Sequence, residues 1–417
     1  MTTFQVSIII VASLHIGFEC LMNFLNLRNL RTLKNNQPDD SKNLMDQKKW
    51  CETTDYSVAK TKFSFIENLY GLILFVILIL YFFPAICTAW DLSSENGVLS
   101  CAFLSICFLL IIQVPYLPLE WYKQFRIEEN FGFNKSSIGL WISDKLKGNI
   151  LGLLLGTLIL GMIIWLYRVL SQMSNYWWIF VFLAFFAVQL LLMVLWPKFI
   201  LPLFNKLTPL EDGVLKTRLM NLANRSGFAA NTIEVIDGSK RSSHSNAYFT
   251  GFGKFRRIVL FDTLIDKMDD QEIEAVLAHE IGHYKLGHIP KRLFLSFLTG
   301  LLAFYGLSLA LSQAWVMEGL QLRSGLTGSL APLLIALILI LPNFTYWLSP
   351  FSNIFSRKHE YEADRFAKNA MNDGIPLQQA LAKLYRENLS HPMPHALLVF
   401  FHYSHPTYFD RVKALQN

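Results

Sequence analysis

Seven stretches of about twenty apolar residues run through the chain, and that is the length a helix needs to cross the hydrocarbon core of a bilayer. Five carry no Asp, Glu, Lys or Arg away from their edges: Leu69–Trp90, Gly97–Leu119, Gly148–Tyr167, Tyr176–Pro197 and Leu293–Met317. A sixth, Leu330–Ser349, lies inside the uncharged run Ser324–Ser356. The remaining one is N-terminal, Phe4–Asn26, interrupted by His15 and Glu19. It has neither the basic start nor the small-residue cleavage site of a secretory signal, so it reads as a retained span. His15 and Glu19 are four apart and share a helix face that should turn away from lipid. Lipid-facing surface also explains why only 16% of the 417 residues are charged, against about 25% in soluble domains. That composition excludes a disordered or nucleic-acid-coating chain, and a net charge of +6 is small for this length.

Loop charges orient the spans. The loop Arg28–Lys62 holds eight Lys and Arg and the loop Trp121–Lys147 holds five, whereas Asp91–Gly97 has none. The basic loops belong inside, which places the N-terminus outside and the C-terminus inside. A fifth loop, about Lys198 to Arg292, then shares the inner face with the segment after Pro350. The expected organisation is five spans in 1–197, a catalytic insertion in 198–292, spans six and seven in 293–350, and a C-terminal segment, 351–417, that completes the site.

The five cysteines all lie at or before Cys107, mostly in apolar runs, and their odd number argues against a disulfide framework or a cysteine zinc cluster. Nine of the ten histidines follow residue 240, so the chemistry belongs to the second half. There Leu215–Ser226 reads as a helix, and Thr232–Ile236 and Arg256–Phe261 as strands, with a turn at Gly251-Phe252-Gly253. Another helix starts at Asp269 or Asp270, with Glu272 placed for a capping box. After the last span, Arg357–Asn369 is a second helix candidate.

On the capped helix sits His279-Glu280-Ile281-Gly282-His283. Two imidazoles four apart stand one turn above each other and can hold one zinc ion. Zinc in such a site acts on water, and Glu280 can take the proton as general base. One class of zinc hydrolases draws a third histidine from six residues beyond the second, but that position is Ile289. His288, five residues on, points to another face. The other class takes a glutamate from a later helix. Glu360 and Asp364 share such a face, so one can bind metal while the other hydrogen-bonds a ligand imidazole; Glu362 lies opposite and is expected to be solvated.

At these residues the chain resembles the type I CAAX prenyl protease family, seven-span zinc metalloproteases of the endoplasmic reticulum with bacterial relatives. The likeness extends through Glu128–Lys135, Pro202–Leu210, Ser243–Phe249, Ser356–Asp364 and Ser404-His405-Pro406. It implies a mainly α polytopic membrane protein with a small α/β gluzincin-type domain. It also implies one zinc per chain on His279, His283 and Glu360, Glu280 as base, and a helix-walled chamber with the site at its cytosolic end. The compact length, without a terminal dilysine signal, resembles bacterial members and suggests a bacterial inner membrane; a eukaryotic member would sit in the endoplasmic reticulum.

Asn246 to Phe249 is expected to form an edge strand that binds a peptide by strand addition, with Asn246, Ala247 and Tyr248 as substrate-binding residues. His405 and Arg411 are candidates for stabilising the oxyanion, although Arg411 can equally pair with a carboxylate. His391, His395 and His402 read as structural or surface residues. The expected partners are a peptide or protein substrate, possibly prenylated, and the lipid bilayer, with no nucleic acid. The leading function is a membrane zinc endopeptidase acting near peptide C-termini. A quality-control protease of broad specificity would use the same residues. An inactive scaffold or transporter fits poorly, since the zinc residues are intact and the paired, glycine-interrupted spans of inverted repeats are lacking.

Overall fold

The structure, a computed structural model, describes every residue except 94, 229–231, 251–256, 323–325, 327 and 417; the Gly251-Phe252-Gly253 turn therefore lies outside the described residues. Seven helices are long and apolar enough to cross a membrane: Thr3–Asn35, Gln47–Ala89, Val98–Glu128, Ile138–Leu170, Trp177–Leu203, His288–Leu311 and Leu330–Met371. Several outrun their apolar cores. Gln47–Ala89 spans 43 residues, roughly 65 Å at 1.5 Å per residue, so its polar first half stands clear of the hydrocarbon. Two prolines are absorbed by π-wound turns, Leu78–Phe82 before Pro84 and Trp196–Ile200 around Pro197; a wider turn accommodates a ring that lacks an N–H.

Two boundaries differ from expectation. The sixth span ends at Leu311 rather than Met317, because Gln313 adopts an extended backbone and a short helix, Ala314–Gly319, follows. Arg357–Asn369 is helical as expected, but its helix starts earlier, at Ser349. After a 3-10 turn at Tyr346–Leu348, the helix Ser349–Met371 continues directly from the last span, with Pro350 in its first turn where no N–H is needed.

The buried apolar residues form two main cores. One joins Ile8, Ile79, Phe83, Cys101, Phe108, Ile163, Val181, Leu307, Met317 and Leu330–Ile340. In sequence these come from the same end of every span, the end away from the catalytic insertion. At the other end the spans separate: none of residues 138–160 in the fourth is buried, and the sixth buries only His288 and Leu307. The bundle is thus sealed at one face and open toward the other.

The second core lies around a small sheet in the segment after the fifth span. A four-stranded sheet runs in the order β1-β2-β4-β3, with β1 at Leu207–Pro209, β2 at Thr232–Ile236, β3 at Ala247–Thr250 and β4 at Arg257–Phe261. β2 and β4 are parallel, from Thr232 opposite Arg257 to Ile236 opposite Phe261, while β1 and β3 run antiparallel to them. Ile233, Ile258 and Leu260 pack on Ile273, Leu277 and Ile281 of the helix Asp270–Lys285, with Leu219 and Leu222 on one side and Leu377 and Leu381 on the other.

Candidate active site

The helix Asp270–Lys285 begins with the expected capping box. Asp269 accepts from the Gln271 and Glu272 N–H groups at 2.9 Å, and the Glu272 carboxylate accepts from the Asp269 N–H at 2.9 Å. This fixes the rotation of a helix buried nearly all round, and with it the direction of His279 and His283. The helix Ser349–Met371 crosses it closely. A Cβ built on Gly282 would stand 3.1 Å from the Ala363 Cα and 3.2 Å from the Ala363 carbonyl oxygen. The two backbones touch there because Gly282 has no side chain, and the contact brings Glu360 over the histidines.

The Nε2 atoms of His279 and His283 are 3.1 Å apart, and each lies 3.3 Å from an oxygen of Glu360. His279 Nδ1 is 2.8 Å from Asp364 Oδ1, so its proton sits there, donated to the carboxylate, and Nε2 keeps its lone pair. Glu360 Oε2 accepts no hydrogen bond despite being buried. With both rings neutral, three acceptor atoms converge here, which is unfavourable unless a cation, a metal ion or a proton, joins them. Ligand atoms around a tetrahedral zinc at about 2.0–2.1 Å stand roughly 3.3 Å apart, so the donor set fits that ion. The electrostatics agree: burial opposes charge on His279, yet Asp364 and Glu360 raise its pKa to about 9. The pocket demands a positive charge beside two carboxylates.

Glu280 lines the cavity beside these groups. Burial raises its pKa, and Glu360 adds to this while His279 and His283 partly offset it. His405, on the segment between the helices Ala396–His402 and Tyr408–Gln416, brings its Nε2 to 3.4 Å from Glu360 Oε1, with 63% of its side chain open to the cavity. Arg411 realises the alternative of pairing with a carboxylate. Its Nε and Nη2 donate to the two Asp364 oxygens at 2.9 and 2.5 Å, and its guanidinium is buried. Its Nη1 stands 4.0 Å from Glu360, and the residue also lines the cavity that holds Glu280 and His405.

Asn246 and Ala247 line the same cavity, of about 880 Å³, together with Asn26, Tyr56 and Thr61 from the first two spans. β3 lies at the edge of the sheet, its one described partner being β4. Tyr248 is not among the lining residues; it sits opposite Val259, its ring 6.3 Å from that of Phe261. Sequence reasoning missed how the third loop supports this rim. Glu128 accepts from Tyr56 Oη at 2.9 and 3.0 Å and lies 3.5 Å from His244, whose ring stacks on Phe133 at 4.0 Å. It also misplaced His288 and Glu362. His288 is buried beside His283 rather than on another face, and Glu362 meets His288 at 2.9 Å rather than facing solvent alone.

A seven-span bundle sealed at one face, with a metal-binding peptidase site at the mouth of its open end, defines a membrane-embedded metalloprotease. Comparison with known proteins agrees. Residues 26–206 match the family described as the CAAX prenyl protease N-terminal region with five membrane helices, and residues 209–417 match peptidase family M48. The chain belongs to the CAAX prenyl protease family. It is 38% identical to CAAX prenyl protease 1 of Saccharomyces cerevisiae, across 96% of this chain and 92% of that one. It is 29% identical to the CAAX prenyl protease 1 homolog of Homo sapiens, across 91% and 88%. The crystal structure of S. mikatae Ste24p is similar with a TM-score of 0.88 at 35% identity, covering 100% of this chain and 99% of that one. These relatives are eukaryotic, whereas the compact length had suggested a bacterial member.

Proposed function

We propose that the protein is a zinc endopeptidase that cleaves prenylated or otherwise membrane-tethered peptides near their C-termini, with one zinc per chain held by His279, His283 and Glu360. The observation that carries this reading is the convergence of two imidazole nitrogens and a carboxylate at the mouth of a cavity that continues among the membrane spans. Zinc bound there supplies Lewis acidity to a water molecule and to the scissile carbonyl. Glu280 takes the proton of that water and returns it to the leaving amine; its burial, which raises its proton affinity, suits the task. His405, open to the cavity, donates to the developing oxyanion. Asp364 holds the His279 Nδ1 proton, and Arg411 holds Asp364. The peptide adds to the free side of β3, passing Asn246 and Ala247, while its lipid chain extends into the space between the separated spans; Tyr248 helps fix the strand from the sheet side.

The eukaryotic relatives and the family resemblance support residence in the endoplasmic reticulum membrane. The basic loops Arg28–Lys62 and Trp121–Lys147 support a cytosolic active site. A cleavage assay on purified protein tests the substrate reading, comparing a farnesylated CaaX peptide with its unmodified twin. Chelator-sensitive cleavage that strongly favours the farnesylated peptide is expected. Equal turnover of the two would overturn the prenyl preference, and full activity after chelation would overturn the metal.

A further inference from the structure

Behind the three donors lies a second cluster: His288, His359 and Glu362. His288 is 1% exposed. Its Nδ1 stands 2.9 Å from Nδ1 of His283, and its Nε2 stands 2.9 Å from Oε2 of Glu362. Hydrogen-bond accounting allows one economical assignment of these protons. Glu362 is an acceptor, so Nε2 of His288 carries a proton and donates it. A neutral His288 then has a bare Nδ1, which accepts from the Nδ1–H of His283. That leaves Nε2 of His283 as a lone pair aimed at Glu360 and His279.

We propose that His288 and Glu362 are positioning residues that fix the tautomer and orientation of His283. His279 has a carboxylate, Asp364, directly on its Nδ1. Among the described residues no carboxylate meets Nδ1 of His283, and a carboxylate acting through one imidazole stands in that place. The proposal rests on His283 being a zinc ligand, as proposed above.

The alternative occupant of this cluster is a second metal ion, and two observations weigh against it. Both nitrogens of His288 are already committed. His359 lies parallel to His288, at 13° and 4.0 Å between ring centroids, so the in-plane lone pairs of the two rings run in separate layers rather than toward one point. Among the described residues the buried Nδ1 of His359 has no hydrogen-bond partner, which fits a ring placed for stacking. The cluster is therefore a support for the first site.

The roles separate by substitution at His288. Gln can accept from His283 with its oxygen and donate to Glu362 with its amide, whereas Leu fills the space and does neither. Zinc affinity, measured by chelator competition on the purified protein, should fall about 10–100-fold in His288→Leu, as for other partners of ligand imidazoles. It should stay nearer wild type in His288→Gln and fall in Glu362→Ala. The melting temperature of the zinc-free protein should change little in His288→Leu, while the rise on adding zinc shrinks. His283→Ala serves as the control, and elemental analysis accompanies each variant. Wild-type zinc affinity in His288→Leu, with zinc lost in His283→Ala, would overturn the positioning role and leave the zinc site standing. Equal losses in the Leu and Gln variants, or two zinc ions per wild-type chain, would also overturn it. Zinc retained in His283→Ala would remove the ligand assignment itself.

Discussion

Glu280→Gln preserves size and hydrogen-bonding shape but leaves no group able to take a proton from water. We expect the variant to keep its zinc by elemental analysis and to lose turnover by roughly 10²–10⁴-fold, the usual scale of general acid–base assistance; near-wild-type turnover would assign the base elsewhere. Glu360 and Asp364 should separate in a zinc titration. Glu360→Gln loses a ligand and should bind metal very poorly, whereas Asp364→Asn should cost about 10–100-fold in affinity. The second change also strands the buried Arg411 guanidinium, so it should lower the melting temperature as well. His391 gives a pH effect away from the metal. It is buried, and burial pushes its pKa down to about 4 from 6.5. Between those values the unfolded chain binds a proton that the folded one refuses, so stability falls as pH drops. Between pH 7 and 5 this group alone contributes a loss of about 2 kcal/mol. His391→Gln, which can still accept from the Met393 N–H, should make melting temperature less sensitive to acid over that range. At this scale the pentapeptide was legible because helical spacing alone places His279 and His283 on one face. The partner of Arg411 was not, because its contact with Asp364 spans 47 positions and no local pattern chooses between carboxylate and substrate.

The two helices that meet at Gly282 decide whether the site exists. With the Ala363 backbone 3.1–3.2 Å from a notional Cβ, a large side chain must push the helix Ser349–Met371 outward and carry Glu360 with it. Gly282→Leu should therefore lose zinc although every donor remains, while the far-UV circular dichroism stays helical. Retained zinc at wild-type affinity would mean that the crossing tolerates separation. The start of the helix Asp270–Lys285 was legible because a capping box is a local pattern. The continuity of the last span with the Glu360 helix was not. Pro350 read as a boundary, but proline in a first helical turn sacrifices no hydrogen bond, and the 3-10 turn at Tyr346–Leu348 carries the chain through. The edge strand was legible at Ala247–Phe249, with Asn246 falling just before its start. The strand at the opposite edge, β1, went unseen, because three residues containing Pro209 carry no alternation.

Across the whole molecule, span count and loop charge were legible from composition alone, since both follow from the energetics of hydrocarbon and headgroup. The sealed and open ends were not: burial at one end of each span depends on which helices converge, and the apolar runs look alike along their length. The topology can be tested in intact cells with an impermeant thiol reagent and a cysteine-free background. If the catalytic part is cytosolic, Glu318→Cys should be labelled while Lys240→Cys and Gln416→Cys are spared until the membrane is opened. Labelling of Gln416→Cys with Lys240→Cys spared would put Glu360 on the wrong side of the membrane from His279.

The hairpin of spans six and seven between Gly282 and Glu360 also governs when the enzyme comes into being. A ribosome delivers His279 and His283 first, and two membrane crossings must then be threaded and turned before Glu360 emerges. Asp364 follows, then His405, and Arg411 arrives after every span is made. A growing chain therefore carries half a metal site and no anchor for its carboxylates. A hydrolase that assembled earlier would work beside other unfinished membrane chains at the translocon. On the proposed ligand set, this one cannot close its metal site until the seventh span has been made.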